Sequence, residues 1–316
     1  MRTKNPVATE QRNPRSRNLD QKSTREILRV INREDAVVAH AVRREIPIIA
    51  RAVDEIVARL RKGGRLFYIG AGTSGRLGVL DASEVPPTFG VHRTLVQGII
   101  AGGNRALTSS IEGAEDHPEN GAQDLHARGL RAGDAVVGLA ASGSTPYVLG
   151  ALKFARLHGA YTIALTTNRK TLVSRIANIT ITPVTGREVI AGSTRMKSGT
   201  AQKMVLNMIS TATMTRLGYI YDNWMIGVAK SNEKLCRRAV RNLGEATGAD
   251  PATAQRILSE AEGDLRLALV MLKSGVTMQA ARNALARHEG DVRKALRNSG
   301  GGRERRMNRK RRGVRG

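Results

Sequence analysis

The sequence predicts an α/β fold, a parallel sheet flanked by helices, with a small helical domain at the C-terminal end. Three observations predict it. Short, continuously apolar runs alternate with helical stretches through the first two-thirds of the chain, as strands buried on both faces do. Several of these runs end in Gly, Ser and Thr, and loops at the carboxyl ends of such strands are where ligands bind. The C-terminal part differs, because Glu262-Gly263-Asp264 recurs as Glu289-Gly290-Asp291 between helical stretches.

The elements follow in order. Ser23-x-x-Glu26 is a capping-box pattern that opens a helix, and Ile27, Val30, Ile31, Val37, Val38 and Val42 recur at helical spacing. Pro47 places a boundary near Ile46. A second helix runs from Ile48 to Leu60 and stops at Gly63 and Gly64. LFYIG (66–70) is the first strand, followed by a glycine loop and a helix expected to end at Pro86-Pro87. TLVQGIIAGG (94–103), AVVGLAASGS (135–144), YTIALTT (161–167) and ANITITPV (177–184) are the next four strands, and residues 195–218 read as a long helix. In the C-terminal part each Glu-Gly-Asp precedes an Ala-Leu pair, and Asp after Gly is a good helix N-cap. Two similar helix-turn-helix units over about residues 246–299 result.

Composition narrows the function classes. Cys236 is the only cysteine in 316 residues, so no disulfide forms within the chain, which fits a reducing cytoplasm. The N-terminus is polar, without the apolar core of a secretory signal, and no run approaches the roughly 20 apolar residues of a membrane span. Net charge is +25. Residues 303–316 carry eight basic residues and one acidic one. This tail reads as a solvated, disordered extension after Gly300–Gly302, able to give weak, salt-dependent nucleic-acid binding.

Gly70, Gly72 and Gly75 have the spacing of a dinucleotide fingerprint, but a ribose-binding acid is needed about 20 residues further on. That place falls near Leu95, and no acid lies in or just after that strand. Thr73, Ser74 and Arg76 instead combine hydroxyls and a cation with a helix N-terminus, which suits a phosphate monoester. Ser142, Gly143, Ser144 and Thr145 follow the third strand in the same way. Ser193, Thr194, Arg195 and Lys197 follow the fifth. Any one cluster serves equally as turn and cap chemistry; three at one sheet edge point to a phosphosugar pocket.

The stretches GAGTSGRLGVLDASEVPPTFG, IAGG, EGAED, AASGSTPYV and GSTRMKSGTAQKMVLNMISTATM, with NEKL beyond, resemble the N-acetylmuramic acid 6-phosphate etherases. The resemblance runs from about Thr9 to Asn298. It implies a sugar-isomerase (SIS) fold and a C-terminal three-helix domain like ubiquitin-associated (UBA) domains. It further implies cleavage of the lactyl ether of N-acetylmuramic acid 6-phosphate to N-acetylglucosamine 6-phosphate and D-lactate in cell-wall recycling, with no cofactor and no metal. Ser144 stands where relatives often carry Arg, and the basic tail lies outside the family pattern.

The resemblance places the two catalytic carboxylates at Glu84 and Glu115, the first as general acid and the second as general base. Phosphate and sugar contacts fall to Gly72, Thr73, Ser74, Arg76, Ser142, Gly143, Ser144, Thr145, Ser193, Thr194, Arg195 and Lys197. Glu188 reads either as a sugar contact or as a solvated loop charge, and His117 as a turn histidine beside Glu115. Cys236 lacks a basic constellation and Trp224 reads as a packing residue. The histidines show no metal-ligand spacing. By analogy with SIS proteins a homodimer is expected. The expected domains are 1–245 (catalytic), 246–299 (helical) and 300–316 (tail). A phosphosugar isomerase and a non-catalytic phosphosugar sensor are the alternatives on the same fold.

Overall fold

The computed structural model describes residues 7–227 and 233–299. The chain divides into two compact units, residues 1–84 with 93–213, and residues 85–92 with 214–316. The basic tail lies outside the described residues.

In the first unit, α1 (Thr24–Asp35) opens on the expected capping box. Glu26 donates its N–H to the Ser23 hydroxyl, and Ser23 donates its N–H to the Glu26 carboxylate. After α2 (Val38–Arg43), α3 (Ile46–Arg61) carries Pro47 in its first turn, where a missing N–H costs no intrahelical bond. Five strands follow: β1 (Leu66–Gly70), β2 (Val96–Ile100), β3 (Ala135–Leu139), β4 (Tyr161–Leu165) and β5 (Ile179–Ile181). Their order is β2-β1-β3-β4-β5 and every pairing is parallel. The helices between them are α4 (Gly72–Phe89), α5 (Pro118–Ala127), α6 (Pro146–Leu157), α7 (Leu172–Ile176) and, after β5, α8 (Lys197–Arg216).

Both faces of the sheet are covered, which is why its strands are apolar without alternation. Phe67, Ile69 and Val136 share one core with Leu125 of α5 and with Val148 and Leu152 of α6. On the other face Gly78 of α4 lies so close to the sheet that a Cβ there would stand 2.8 Å from Leu139 and 3.0 Å from Tyr68.

The helix after the glycine loop does not end at Pro86-Pro87. α4 continues through both prolines to Phe89. Proline's fixed φ is compatible with a helix, although each ring removes an N–H donor and crowds the carbonyl four residues earlier. The stop comes at Gly90, whose N–H bonds the Pro86 carbonyl at 2.8 Å and whose φ of +65° leaves the helical region.

A polar cluster is buried beneath α4. Asp81 accepts Asn207 Nδ2 at 2.6 Å and the Ser210 hydroxyl at 3.1 Å on one oxygen. Its other oxygen and the nearby Tyr68 hydroxyl are buried without a hydrogen-bond partner. Burial raises the Asp81 pKa above the usual carboxylate range, against the bonds from Asn207 and Ser210. Burial and the Asp81 charge push the Tyr68 phenol well up.

In the second unit β6 (Ile220–Tyr221) and β7 (Trp224–Met225) form an antiparallel hairpin. α9 (Glu233–Thr247), α10 (Pro251–Glu260), α11 (Leu265–Ser274), α12 (Met278–Arg287) and α13 (Val292–Ser299) follow. Leu243, Leu258, Leu269, Val270, Leu285 and Val292 make their core, and Trp224 packs against it. Four helices, not three, fill the stretch from Pro251 to Ser299, because each Glu-Gly-Asp joins a pair. Glu262 and Glu289 adopt left-handed φ of +54° and +53°. Asp264 then accepts the N–H groups of Arg266 and Leu267, and Asp291 that of Lys294.

A carboxyl held above its unfolded pKa favours the protonated folded state. Its contribution therefore declines as pH rises through the two values. Asp81→Asn is expected to stabilise the fold by on the order of 1 kcal/mol at neutral pH, with no gain in strong acid. Urea denaturation of both proteins across pH measures it; a variant less stable at neutral pH contradicts the assignment.

Candidate active site

The order β2-β1-β3-β4-β5 makes the gap between β1 and β3 a topological switch point. β1 leads through α4 to one side of the sheet, while β3 leads through α6 to the other, and the diverging loops leave a crevice at the carboxyl edge. The first two hydroxyl clusters lie on these two loops. After β1 the chain enters α4 at Gly72. The turn is tight: a Cβ on Gly75 would meet the Gly70 carbonyl oxygen at 2.7 Å, and one on Gly70 the Gly75 nitrogen at 2.9 Å. Glycine at both places lets the first turn of α4 sit on the strand end.

Ser74 donates to Gln202 Oε1 of α8 at 2.8 Å. Gln202, which sequence reasoning missed, is almost fully buried, and its Nε2 has no partner. In the β3 loop, Ser142 Oγ accepts the Ser144 N–H at 3.3 Å and lies 3.2 Å from the Ser144 hydroxyl. Gly143 has φ +77° and packs against Thr171. Thr145 is the N-cap residue of α6, and its side chain makes no cap bond.

The third cluster joins the first at α8. Gly199 faces the Thr194 carbonyl and the Thr73 methyl. The head of α8 is held by Glu188, whose two carboxylate oxygens accept the N–H groups of Lys197 and Ser198 at 3.0 and 2.9 Å. A buried anion is well placed there, because the first N–H groups of a helix have no intrahelical partner. Glu188 is therefore a buried capping carboxylate and not a solvated charge. From Ser198 a hydroxyl pair runs to Thr167 at 3.0 Å, and Thr167 donates to the Ala141 carbonyl at 3.1 Å. Asn168 donates to the same carbonyl at 3.0 Å. These bonds tie the loops after β3, β4 and β5 together.

Glu115 is brought to this edge from the β2 side. Arg76 bonds the carbonyls of Leu107 and Ser109, so it holds the loop after β2 against the start of α4. Further on, the Glu115 carbonyl accepts the Tyr147 N–H in the first turn of α6 at 3.0 Å. α5 and α6 come together through two glycines, since a Cβ on Gly121 would stand 2.1 Å from the Tyr147 oxygen and one on Gly150 1.8 Å from the Pro118 oxygen. The Tyr147 hydroxyl donates to Asp124 of α5 at 2.5 Å; burial and that carboxylate raise its pKa. The exposed Glu115 is thus held by its backbone beside the first turn of α6.

The chain is 52% identical over 290 residues to the N-acetylmuramic acid 6-phosphate etherase of Pectobacterium atrosepticum, a match that covers 92% of this chain and 96% of that one. It is 56% identical over 272 residues to the corresponding enzyme of Symbiobacterium thermophilum, covering 86% and 90%. The chain belongs to the N-acetylmuramic acid 6-phosphate etherase family. Residues 48–156 also match the model of the glucokinase regulatory protein N-terminal SIS domain. A solved phosphoheptose isomerase from Francisella tularensis is 20% identical with a TM-score of 0.43, over 62% of this chain and 98% of that one.

Against this etherase framework the remaining expected residues divide. Glu84 is exposed and stands twelve residues into α4, roughly 18 Å along the helix axis from Gly72 at 1.5 Å per residue. His117 pairs with Glu119 at 3.1 Å rather than with Glu115. Arg195 is exposed and Ser193 half-buried on the turn before α8. Lys197 is not available to the crevice. It is almost fully buried and donates to Glu34 at 2.6 Å and to the Thr185 carbonyl at 3.0 Å, because its position at the head of α8 points its stem toward α1. Asn13 and Arg15 also bond Glu34, at 2.8 and 3.2 Å. Burial works to raise the Glu34 pKa, but the bonds from Lys197, Asn13 and Arg15 outweigh it and hold the carboxyl below its usual range. Among the described residues no group of three or more His, Cys, Asp or Glu could hold a metal ion.

Two substitutions test this architecture. Glu34→Gln leaves Lys197 buried without its counter-charge and is expected to cost about 3–5 kcal/mol of unfolding free energy. The parent's Glu34 contribution is present above the unfolded carboxyl pKa and fades as pH falls through the lower folded value, so the gap between variant and parent narrows in acid. Gly150→Ala forces α5 from α6 and is expected to destabilise by about 1–3 kcal/mol while displacing Glu115. Denaturation curves measure both, and a Gly150→Ala protein of parental stability would refute the close approach.

Proposed function

We propose that this protein cleaves the lactyl ether of N-acetylmuramic acid 6-phosphate, giving N-acetylglucosamine 6-phosphate and D-lactate. The observation that carries the reading is half-identity to etherases over nine-tenths of the chain. The two hydroxyl-bearing loops at the β1–β3 switch point supply phosphate-binding chemistry of the right kind.

The reaction class we propose is a lyase-type elimination followed by hydration. In the open-chain sugar C1 is an aldehyde, so the proton on C2 is acidic. A general base removes it, the electron pair forms the C2–C3 double bond, and the C3–O bond to lactate breaks as a general acid protonates the leaving oxygen. Water then adds its hydroxyl at C3 and a proton at C2. Glu115 is assigned as base, since its backbone is tied to the first turn of α6. Ser74, Ser142 and Thr145, with the N–H groups of the α4 and α6 first turns, would hold the phosphate. Glu84 is assigned as acid. The axial distance along α4 exceeds the reach from a hexose 6-phosphate to its C3, so we assign Glu84 to the substrate held by a second copy in a homodimer. The proposed setting is cytoplasmic cell-wall recycling, with residues 1–245 as the catalytic part and 246–299 as a separate helical part. Among the described residues no helix is long and apolar enough to cross a membrane.

The match of residues 48–156 to a regulatory-protein SIS domain favours a second reading, a phosphosugar sensor without turnover. D-Lactate release from N-acetylmuramic acid 6-phosphate separates the two. The expected result is release from the phosphorylated sugar and little from the unphosphorylated one. In deuterated water Glu115→Gln should abolish both C2 exchange and lactate release, while Glu84→Gln should keep exchange and lose about 10²- to 10⁴-fold in release. NMR of the sugar reads both. Substrate bound but never cleaved by the parent supports the sensor.

A further inference from the structure

A second cavity, of about 650 Å³, opens on the first unit away from the β1–β3 crevice. Its walls are the turn at Asn13–Arg15, the end of α1 and α2, and the segment 184–187 that follows β5. β5 is the edge strand three places from β1, or about 14 Å at the spacing of paired strands.

The cavity is cationic in an organised way. Arg15, His40, Arg44, Arg187 and Lys197 line it, with Glu34 as the one carboxylate. That carboxylate is already spent on Lys197, Asn13 and Arg15. Lys197 gives two of its three ammonium protons to Glu34 and the Thr185 carbonyl, and an ammonium carries three donors. Thr185, also in the lining, has a buried hydroxyl with no partner. Arg44 and His40 at the rim are exposed and have no carboxylate partner among the described residues. Buried donors in excess of acceptors, beneath a rim of guanidinium groups that suit planar oxyanions, make a site short of negative charge. The volume falls within the range of metabolite pockets.

We propose that this cavity is a second ligand site, for a small multiply charged oxyanion, either a phosphorylated compound or a polycarboxylate, distinct from the crevice that holds the sugar phosphate. The anion supplies the acceptors that Lys197 and Arg44 lack. It also touches the residue that heads α8, the helix whose Gln202 holds Ser74. Occupancy is therefore expected to alter phosphosugar affinity; that part alone rests on the reading of the crevice given above.

The test is calorimetric titration of the full-length chain with inorganic pyrophosphate and, separately, citrate. The parent is compared with an Arg44→Gln, His40→Gln double variant, each with and without saturating N-acetylglucosamine 6-phosphate. Both substituted residues lie outside the proposed catalytic groups, so lactate release without added anion should stay parental. The expected result is binding that persists with the sugar phosphate present and weakens at least about tenfold in the double variant, as the loss of one charge-assisted contact implies. Binding of pyrophosphate alone identifies a phosphorylated ligand, and equal binding of citrate a general polycarboxylate site; both keep the proposal. Parental affinity in the double variant overturns it, because the anion then sits on the tail or the sugar loops. Full displacement by the sugar phosphate, or no binding of either probe, overturns it as well. Failure of the etherase reading appears separately, as absent lactate release with cavity binding intact.

Discussion

The close approach of α4 to the end of β1 is the constraint on which the candidate site depends. Gly70 and Gly75 face each other at a separation that leaves no room for a Cβ on either. With the first turn of α4 seated on the strand, Arg76 reaches the carbonyls of Leu107 and Ser109 and Ser74 reaches Gln202. The loop after β2 and the head of α8 are therefore positioned from the same turn. Parallel pairing then places the Ser142 loop on the neighbouring strand, and the reversal of direction at β1–β3 keeps the two loops apart. A side chain larger than hydrogen at either glycine would disturb three loops at once.

Buried charge organises the other end of the sheet. Glu188 caps α8 and Glu34 neutralises Lys197, so each carboxylate answers a specific demand, one for free helical N–H groups and one for an ammonium out of water. Gly192 donates to the Thr9 carbonyl and Asn168 donates to the Thr9 hydroxyl. These bonds, with those of Asn13, fasten the N-terminal segment over the loops after β4 and β5. The polar side chains and backbone of Thr9 and Asn13 act there as a hydrogen-bonding strap.

Much of this was legible in the residues. The five apolar runs are the five strands, since a strand buried on both faces needs no alternation and shows as a block. The Ser23 capping box, the Asp264 and Asp291 caps and the Pro47 boundary act within a few residues, so spacing alone reveals them. What was hidden is long-range. Nothing near Lys197 in the chain signals that Glu34, 163 residues earlier, waits for it. Gln202 looks like any polar residue of a helix until Ser74 is seen 2.8 Å away. Pro86-Pro87 misled because two missing donors were read as a helix end, when the nearer breaker was Gly90 with its positive φ.

Glu84 shows where sequence proximity and spatial proximity part. Glu84 and Ser74 share one helix and one motif, which suggests a common site, yet the rigidity of the helix separates them by its own rise per residue. Glu115 lies further from Ser74 in sequence, and it is the carboxylate that backbone hydrogen bonding draws to the α6 N-terminus. On the roles proposed above, a binding group at the first turn of α4 and an acid three turns on stand further apart along the axis than one hexose phosphate spans. If both act in one reaction, the second must come from another copy. A Glu115→Gln chain and a Glu84→Gln chain, each far less active than the parent, should then restore activity when mixed and refolded together. About a quarter of the sites in a randomly assorted dimer pair would be whole. Mixtures that stay inactive, while each variant remains folded, would place Glu84 and Glu115 in the same chain's site and refute the contribution of a second copy.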